Sequence, residues 1–299
     1  FILYQMNDNL SINCRVCNSD NYQYLFHAKN SEIKNNATFK YYKCIECETI
    51  FLGKMPENLN KYYSKEYHPF KKDTNLDFKD KSNIDFIKKL KPNLSILELG
   101  VGNGKFLEHL KNIGHDCYCI EPYSEITAEL KKNNINVIFD SLENLIINNL
   151  NFKVDIIYSW HSVEHLGNFS VFLKLCKKIL NKNGYVIIGT PNQNSLSFKY
   201  YKQNWYHLQP PLHSFLVTSN EIEKQFNSIG FKKLKFSSKD IISIISSKFG
   251  WETSGFLLKK NSGKKIDSYI GKFLSFFMPY IEALLNRSSQ YTIVFRNEK

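Results

Sequence analysis

The segment after residue 160 concentrates histidines around a carboxylate, in the run His161-Ser162-Val163-Glu164-His165. A histidine titrates near neutral pH, so His165 or His161 can take a proton from a substrate hydroxyl. If a helical turn begins after Trp160, His161 and His165 share one face at i and i+4, with Glu164 beside them. The alternative is that His165 only caps a turn.

A glycine-dense turn lies upstream, at Gly100, Gly102 and Gly104. Three positions without a Cβ let the backbone turn sharply and approach a ligand, although several nucleotide-binding folds use such a pattern. Glu121 follows a predicted strand at residues 115–120, where a carboxylate can accept hydrogen bonds from both hydroxyls of a ribose. Glu98 would repel a pyrophosphate but tolerate a cationic sulfonium ligand, which favours S-adenosylmethionine over a dinucleotide.

Four cysteines form two C-x₂-C pairs with 26 residues between them: Cys14, Cys17, Cys44 and Cys47. Paired thiolates at this spacing are what a tetrahedral structural zinc requires, and four protein ligands leave no open position for catalysis. The sequence therefore predicts a zinc ribbon with strands at residues 22–28 and 38–43. The alternative is a set of unligated thiols, since disulfides are not expected in a cytosolic domain.

The elements that must position these groups alternate between strand and helix. Strands are predicted at residues 95–99, 115–120, 136–139, 154–160 and 183–190, and helices at residues 105–112, 124–132, 142–148 and 169–180. An antiparallel pair at residues 231–237 and 291–296 closes the set. This alternation predicts an α/β fold with a doubly wound seven-stranded sheet, in which ligands bind outside the carboxyl ends of the strands.

The run Glu98-Leu99-Gly100-Val101-Gly102-Asn103-Gly104, followed by Ile120-Glu121-Pro122, resembles the class I S-adenosylmethionine-dependent methyltransferases over residues 75–299. The resemblance implies a Rossmann-like methyltransferase sheet with S-adenosyl-L-methionine as cofactor. The cofactor-binding residues it implies are Glu98, Gly100, Gly102, Gly104, Glu121, Asp140, Ser141, Ser159 and Trp160. Asp140 and Ser141 would meet the adenine ring, and capping of the next helix is a competing role for both.

The Glu164-His165 pair after the fourth strand is similar to that of the ubiquinone-type O-methyltransferases and related glycan-modifying enzymes. The string from His207 to Phe215 resembles the lid of sugar and polyketide-type methyltransferases, which implies His207 and His213 as substrate contacts. In the ubiquinone-type and plant small-RNA enzymes, a Glu-x-x-Glu-His group with a later histidine binds a divalent metal. Here His161 replaces the first glutamate, which favours a metal-free base or a borderline metal over Mg²⁺.

Composition suits one large domain and a small module: 299 residues, 42% hydrophobic, net charge +12. We expect a zinc ribbon at residues 1–55, a linker and helix at 56–91, and the methyltransferase domain at 92–299. Within that domain we expect a lid at about 192–218 and a helical cap at about 239–287. No apolar run reaches the roughly 20 residues that span a bilayer, and the first residues lack the basic start of a signal peptide, so we expect a cytoplasmic protein.

The function predicted is methylation of a hydroxyl on a sugar or another small molecule, such as a nucleotide-sugar or glycan. An RNA base methyltransferase is the alternative among enzymes, because a basic charge and a zinc ribbon also suit RNA, and a non-catalytic scaffold is the alternative outside them. Thr190-Pro191-Asn192 is not the tetrapeptide of enzymes that methylate exocyclic base amines. The apolar, basic segments at 241–258 and 266–285 predict a pocket cap, a homodimer face or a peripheral membrane contact.

Overall fold

The computed structural model describes residues 12–30, 37–62, 87, 89–122, 124–138, 142 and 150–299. Its strands are β1 (Tyr22–Lys29), β2 (Thr38–Cys44), β3 (Ile50–Leu52), β4 (Ser95–Leu99), β5 (Asp116–Ile120), β6 (Asn136–Ile138), β7 (Val154–Trp160), β8 (Leu180–Pro191), β9 (Phe215–Leu216), β10 (Phe231–Ser237) and β11 (Gln290–Asn297). Its α-helices are α1 (Lys105–Asn112), α2 (Ser124–Lys132), α3 (Phe169–Ile179), α4 (Leu196–Tyr201), α5 (Ser219–Ser228), α6 (Ile241–Ser262) and α7 (Lys265–Leu284). Single 3-10 turns lie at Leu59–Tyr62, Val163–His165, Lys202–Asn204 and Tyr206–Leu208.

Seven strands form one sheet in the order β10-β11-β8-β7-β4-β5-β6. The five strands from β8 to β6 pair in parallel, and β11 runs antiparallel to both β8 and β10. The first strand of this sheet, β4, lies in its middle, and β5 and β6 follow on one side of it. The chain then crosses to β7, on the other side of β4. This reversal makes a crevice at the carboxyl ends of β4 and β7. The predicted doubly wound seven-stranded sheet is confirmed.

Helices cover both faces of this sheet because its strands are apolar on both sides. In β4, Ile96 and Leu97 are both fully buried but belong to separate core clusters, as neighbouring side chains on a strand point to opposite faces. One cluster includes Phe169 and Phe172 of α3, and the other includes Phe106 and Leu107 of α1. The continuous apolar run that predicts a buried parallel strand is thus explained by two packed layers.

A second, antiparallel sheet has the order β1-β2-β3-β9, so its last strand comes from the predicted lid rather than from the N-terminal module. Ile50 and Phe51 of β3 pair with Leu216 and Phe215 of β9. The side chain of Gln193, also in the lid, accepts a hydrogen bond from the Ile50 N–H at 3.1 Å. The N-terminal module and the lid therefore share one hydrogen-bonded sheet.

The predicted cap is a helical hairpin of α6 and α7, inserted between the end of β10 and the start of β11. Helix α6 continues to Ser262, four residues beyond the predicted end, and stops at Gly263 in a left-handed conformation. The two helices touch where Gly255 faces Gly271, and a Cβ on Gly255 would lie 2.6 Å from the Gly271 Cα. Among the described residues, no helix combines the length and apolar character needed to cross a bilayer.

Candidate active site

The glycine turn between β4 and α1 needs glycine for conformation and for space. Gly100, Gly102 and Gly104 have φ values of 70°, 56° and 75°, where side chains are strained. A Cβ on Gly100 would lie 2.5 Å from the Ser162 Oγ, and one on Gly104 would lie 2.8 Å from the Leu130 side chain. The turn thus has a conformation in which no side chain of these glycines covers its backbone. It ends at the N-terminus of α1.

Glu121 lies at the end of β5 and contacts this turn directly. Its Oε2 accepts a hydrogen bond from the Val101 N–H at 3.2 Å, while the Gly100 N–H donates to the Ile120 carbonyl at 3.1 Å. Both Glu121 and Glu98, at the end of β4, are buried. Two carboxylates therefore flank a glycine turn, an arrangement that favours a cationic ligand over a pyrophosphate.

Ser159 and Trp160 end β7, next to the tip of β4. Ser159 is fully buried, and its hydroxyl has no hydrogen-bond partner within the part of the chain that the structure describes. The Trp160 ring packs on the backbone of Gly189, where a Cβ would lie 2.5 Å from it. The bare turn, the carboxylates and this orphan hydroxyl fit a nucleoside carrying a positive charge. Asp140 and Ser141 lie outside the described residues.

His161 follows β7 in a left-handed conformation, with φ of 52°. Its N–H donates to the Gly189 carbonyl at 2.8 Å, which extends the β7–β8 ladder by one residue. The 3-10 turn begins only at Val163. The predicted helical turn carrying His161 and His165 on one face is therefore wrong, because the positive φ places His161 outside any helix.

Glu164 is the centre of a buried polar cluster. Its Oε1 lies 3.1 Å from the His161 Nδ1, and its Oε2 accepts a hydrogen bond from the Thr190 hydroxyl at 3.0 Å. Burial favours the neutral carboxyl group, but the hydrogen bond and charge of His161, with the nearby His213, outweigh it and lower the pKa of Glu164 to about 2. The other ring nitrogen of His161, Nε2, lies 2.9 Å from the Gln290 Oε1.

His165 and His213 also lie near Glu164 and pack edge to face, with ring centroids 4.8 Å apart. The His213 Nε2 lies 3.9 Å from the Glu164 Oε1, and its Nδ1 lies 2.7 Å from the His207 carbonyl. Burial lowers the pKa of His165 and, together with the neighbouring His165, lowers that of His213 to about 3. Both rings are therefore neutral at neutral pH.

His207 is enclosed by α6. Its Nε2 lies 3.2 Å from the Ser246 carbonyl, and a Cβ on Gly250 would lie 2.9 Å from the same nitrogen. Burial lowers the pKa of His207 to about 3. The substrate contact predicted for His207 stays a prediction, and the enclosure of its ring does not support it.

The four cysteines come together beside the second sheet. Two Sγ–Sγ distances, Cys14 to Cys47 and Cys17 to Cys44, are 3.5 Å, and all four Sγ atoms lie within 4.8 Å of one another. Four thiolates about 2.3 Å from a tetrahedral zinc lie about 3.8 Å apart, so this donor set fits zinc. The Arg15 guanidinium, between the first two cysteines, donates to the carbonyls of Leu52 and Gly167 and ties the cluster to the large domain.

Sequence reasoning missed Thr190 and Gln290 as members of the Glu164 cluster. Thr190 ends β8, a position that gives a usable signal because β7 and β8 are adjacent and parallel. Gln290 begins β11 and lies 129 residues from His161 in the chain. Only the antiparallel course of β11 brings it to the carboxyl edge of the sheet, and no local pattern indicates that.

A family model for a methyltransferase domain matches residues 75–235, more than half of the 299-residue chain. The chain therefore belongs to this methyltransferase family, and it is an S-adenosylmethionine-dependent methyltransferase. The central sheet, with its glycine turn after β4, agrees with this assignment.

Individual relatives are distant. An uncharacterized protein of Methanocaldococcus jannaschii is 24% identical over 201 residues, which cover 65% of this chain and 94% of that protein. A ubiquinone biosynthesis O-methyltransferase of Bradyrhizobium diazoefficiens is 28% identical over 111 residues, which cover 35% of this chain and 43% of that enzyme. The alignment thus spans less than half of that enzyme's length. A solved SAM-dependent methyltransferase from Archaeoglobus fulgidus is similar with a TM-score of 0.48 and 17% identity, covering 80% of this chain and 97% of that one.

Proposed function

We propose that this enzyme transfers the methyl group of S-adenosylmethionine to a hydroxyl of a sugar or another small molecule. The observation that carries the proposal is that a histidine–carboxylate pair flanks the residue that contacts the glycine turn. Ser162, between His161 and Glu164, has its Oγ 3.4 Å from the Gly100 carbonyl. A proton-accepting group beside the cofactor turn suits an acceptor that must lose a proton as it is methylated.

The residues proposed to hold the cofactor are those of the strand tips: Glu98, Gly100, Gly102, Gly104, Glu121, Ser159 and Trp160, with Asp140 and Ser141. When bound, S-adenosylmethionine supplies an electrophilic methyl group on its sulfonium. The protein then has to align the acceptor with that group and remove its proton.

We assign the base to His161, held by Glu164. The carboxylate accepts from the His161 Nδ1, which leaves Nε2 to receive the acceptor's proton, as in other histidine–carboxylate pairs. The Gln290 Oε1, 2.9 Å from Nε2, is a hydrogen-bond acceptor like the basic nitrogen itself, so this carboxamide has to turn its NH₂ group toward Nε2 or move away before Nε2 can take a proton. Displacement of Gln290 by the acceptor would bring the hydroxyl to the base. His165, the other predicted base, stays a candidate.

A second version of the site holds a divalent metal at Glu164, His165 and His213. One observation favours this version. The Nδ1 of the neutral His213 ring faces the His207 carbonyl, so Nδ1 carries the proton and donates it. The other nitrogen, Nε2, therefore presents a lone pair toward Glu164. A lone pair and a carboxylate oxygen 3.9 Å apart do not attract each other, and a cation between them would bind both. One ligand atom from each of the three residues lies within 4.8 Å of the other two. Nitrogen and oxygen ligands together suit a borderline metal.

Three variants and chelation separate these versions. His161→Gln should lower kcat by about 10²–10⁴-fold if its ring is the base, with unchanged cofactor affinity. His165→Gln should do so only if His165 is the base or a metal ligand. His27→Gln, an exposed histidine on β1, is the matched control. Normal turnover by both active-site variants contradicts a histidine base.

Chelation is then applied to enzyme whose cysteine-bound zinc is shown to remain. Full activity after exhaustive chelation excludes the metal version and leaves a histidine base, which the two variants then assign to His161 or His165. Acceptors are found by following labelled methyl groups into nucleotide-sugar pools. Transfer into RNA instead, with binding that falls steeply with salt, contradicts the small-molecule acceptor.

We also propose that Cys14, Cys17, Cys44 and Cys47 bind one structural zinc. The support is the donor set and its spacing, since four thiolates close the coordination shell and leave no place for a substrate. The ion would stabilise the second sheet, which continues into the lid through β9.

A further inference from the structure

Helix α7 has a buried inner face of mostly small residues and an exposed outer face that is apolar. Its inner face packs on α6 through buried Gly271, Ser275 and Pro279. Its outer face carries apolar residues three or four positions apart from the first turn to the last: Ile266, Tyr269, Phe273, Phe276, Tyr280 and Leu284. These side chains are 57%, 66%, 66%, 62%, 61% and 87% exposed, respectively. A large exposed apolar patch of this kind, running the length of a helix, is typical of a surface that contacts a partner or a membrane.

The charge beside this face is positive. The tip of the hairpin and the adjoining turns carry Lys259, Lys260, Lys264 and Lys265, and Lys272 lies farther along α7. The two acidic residues of α7 do not balance them on the outer face. Asp267 offsets only one of the lysines at this end of the hairpin, and Glu282 is fully buried and accepts from the Ser197 N–H. The surface is therefore apolar in its centre and basic at one end.

We propose that the outer face of α7 docks on the anionic surface of a lipid bilayer. Apolar and aromatic side chains would enter the boundary between headgroups and acyl chains, where tyrosine and phenylalanine are favourable, and the lysines would contact anionic headgroups. A second copy of the chain fits less well, because pairing two such faces gathers several lysines from each copy against the single accessible carboxylate of Asp267. Charge complementarity thus selects the lipid surface.

The hairpin is joined to the lid at the same edge of the sheet as the candidate active site. It leaves the sheet after β10 and returns at Gln290, which contacts His161. The Tyr206 N–H, in the lid, donates to the Ser254 hydroxyl of α6 at 2.9 Å. Docking through α7 would therefore bring this edge of the enzyme, rather than the opposite one, to the lipid surface.

The test is vesicle co-sedimentation of the full chain, with no activity readout. Wild-type protein should bind vesicles of mixed phosphatidylglycerol and phosphatidylcholine, less at high salt, and should not bind phosphatidylcholine alone. The double variant Phe273→Ser/Phe276→Ser should reduce binding by about tenfold or more, because both exposed rings lose their burial in lipid. Leu234→Ser/Tyr24→Ser removes two exposed apolar side chains elsewhere and should bind like the wild type.

Lys260→Glu/Lys265→Glu should abolish the preference for anionic vesicles while leaving the melting temperature unchanged. Three results would overturn the proposal: no wild-type binding to anionic vesicles, equal binding by the Phe273→Ser/Phe276→Ser variant, or retained preference after the lysine reversal. A wild-type dimer that the phenylalanine variant dissociates, seen by light scattering, would assign this face to a second copy and also overturn it.

Discussion

The phenolic hydroxyl of Tyr41 donates a hydrogen bond to the main-chain carbonyl of His213, 3.0 Å away. Tyr41 is fully buried on β2, three residues before Cys44. The next residue of the lid, Ser214, donates its N–H to the Glu164 carbonyl at 2.7 Å. The cysteine cluster and the candidate active site are thus joined through two hydrogen bonds and a few covalent bonds, so the N-terminal sheet positions His213.

Tyr41→Phe tests this connection with the smallest possible change. Loss of one buried hydrogen bond should destabilise the fold by about 1 kcal/mol and let the His213 segment shift. We expect a lower kcat with unchanged cofactor affinity and unchanged zinc content, measured on the purified variant. Tyr24→Phe, an exposed tyrosine of β1, is the control. A variant with wild-type kcat would show that the Tyr41 contact is structural only.

The cofactor assignment is tested at Glu121 and Gly102. Glu121→Ala removes the carboxylate beside the turn and should weaken S-adenosylmethionine binding by about 10- to 100-fold, the effect of losing hydrogen bonds to a charged group. Gly102→Val should abolish binding, because φ of 56° strains a branched side chain and its bulk fills the turn. Glu129→Ala changes an exposed carboxylate on α2 and serves as the control. Calorimetry that finds wild-type affinity in both test variants would refute the assignment.

Metal analysis of the purified protein should find about one zinc per chain. Cys44→Ser should lose the metal and unfold the second sheet, since three thiolates bind zinc far more weakly than four. We expect turnover to fall more than cofactor affinity, because the glycine turn belongs to the other sheet. Cys176→Ala, at a buried cysteine outside the cluster, should keep its zinc. If the N-terminal sheet is folded in protein that contains no metal, the prediction of a structural zinc is wrong.

The free energy of unfolding should decrease as pH decreases, and His207 contributes part of this pH dependence. Burial lowers its folded-state pKa to about 3, well under its value of 6.5 in the unfolded chain. The unfolded chain therefore binds a proton that the folded chain excludes, and stability is lost as pH falls from 6.5 toward 3. His207→Gln should remove about 1.4 kcal/mol per pH unit of this dependence, measured by denaturant unfolding. The exposed His27→Gln should leave the slope unchanged; an equal slope in His207→Gln would contradict the prediction.

The sequence predicts well what local patterns determine. Ile96 and Leu97 lie in a short apolar run followed by a glycine-rich turn, and that length and that flanking turn favour a strand over a helix. Gly100 and Gly104 are predicted to leave the backbone of the turn uncovered by side chains. Both have a positive φ, and at both a neighbouring side chain occupies the space that a Cβ would need. The order of elements then leaves few arrangements of a parallel sheet, so the fold follows.

What the sequence could not predict depends on contacts between distant residues. The error at His161 arose because its N–H pairs with the Gly189 carbonyl of β8, a bond that forces the positive φ and delays the 3-10 turn. Gln290 reaches His161 only through the order of strands. The two-residue strand β9 is too short to carry any periodicity, and its partner β3 is found only in the folded chain.

The pairing of β3 with β9 determines which segments of the chain can be deleted without exposing a strand edge. A chain that begins at residue 56 would lack β3, which pairs with β9, and would leave the backbone edge of β9 unpaired and the Phe215 ring without its neighbour Phe51. An uncovered edge of this kind recruits strands from other molecules. We expect such a fragment to aggregate rather than to persist as a smaller enzyme, so a deletion series should remove β9 together with the N-terminal strands or neither.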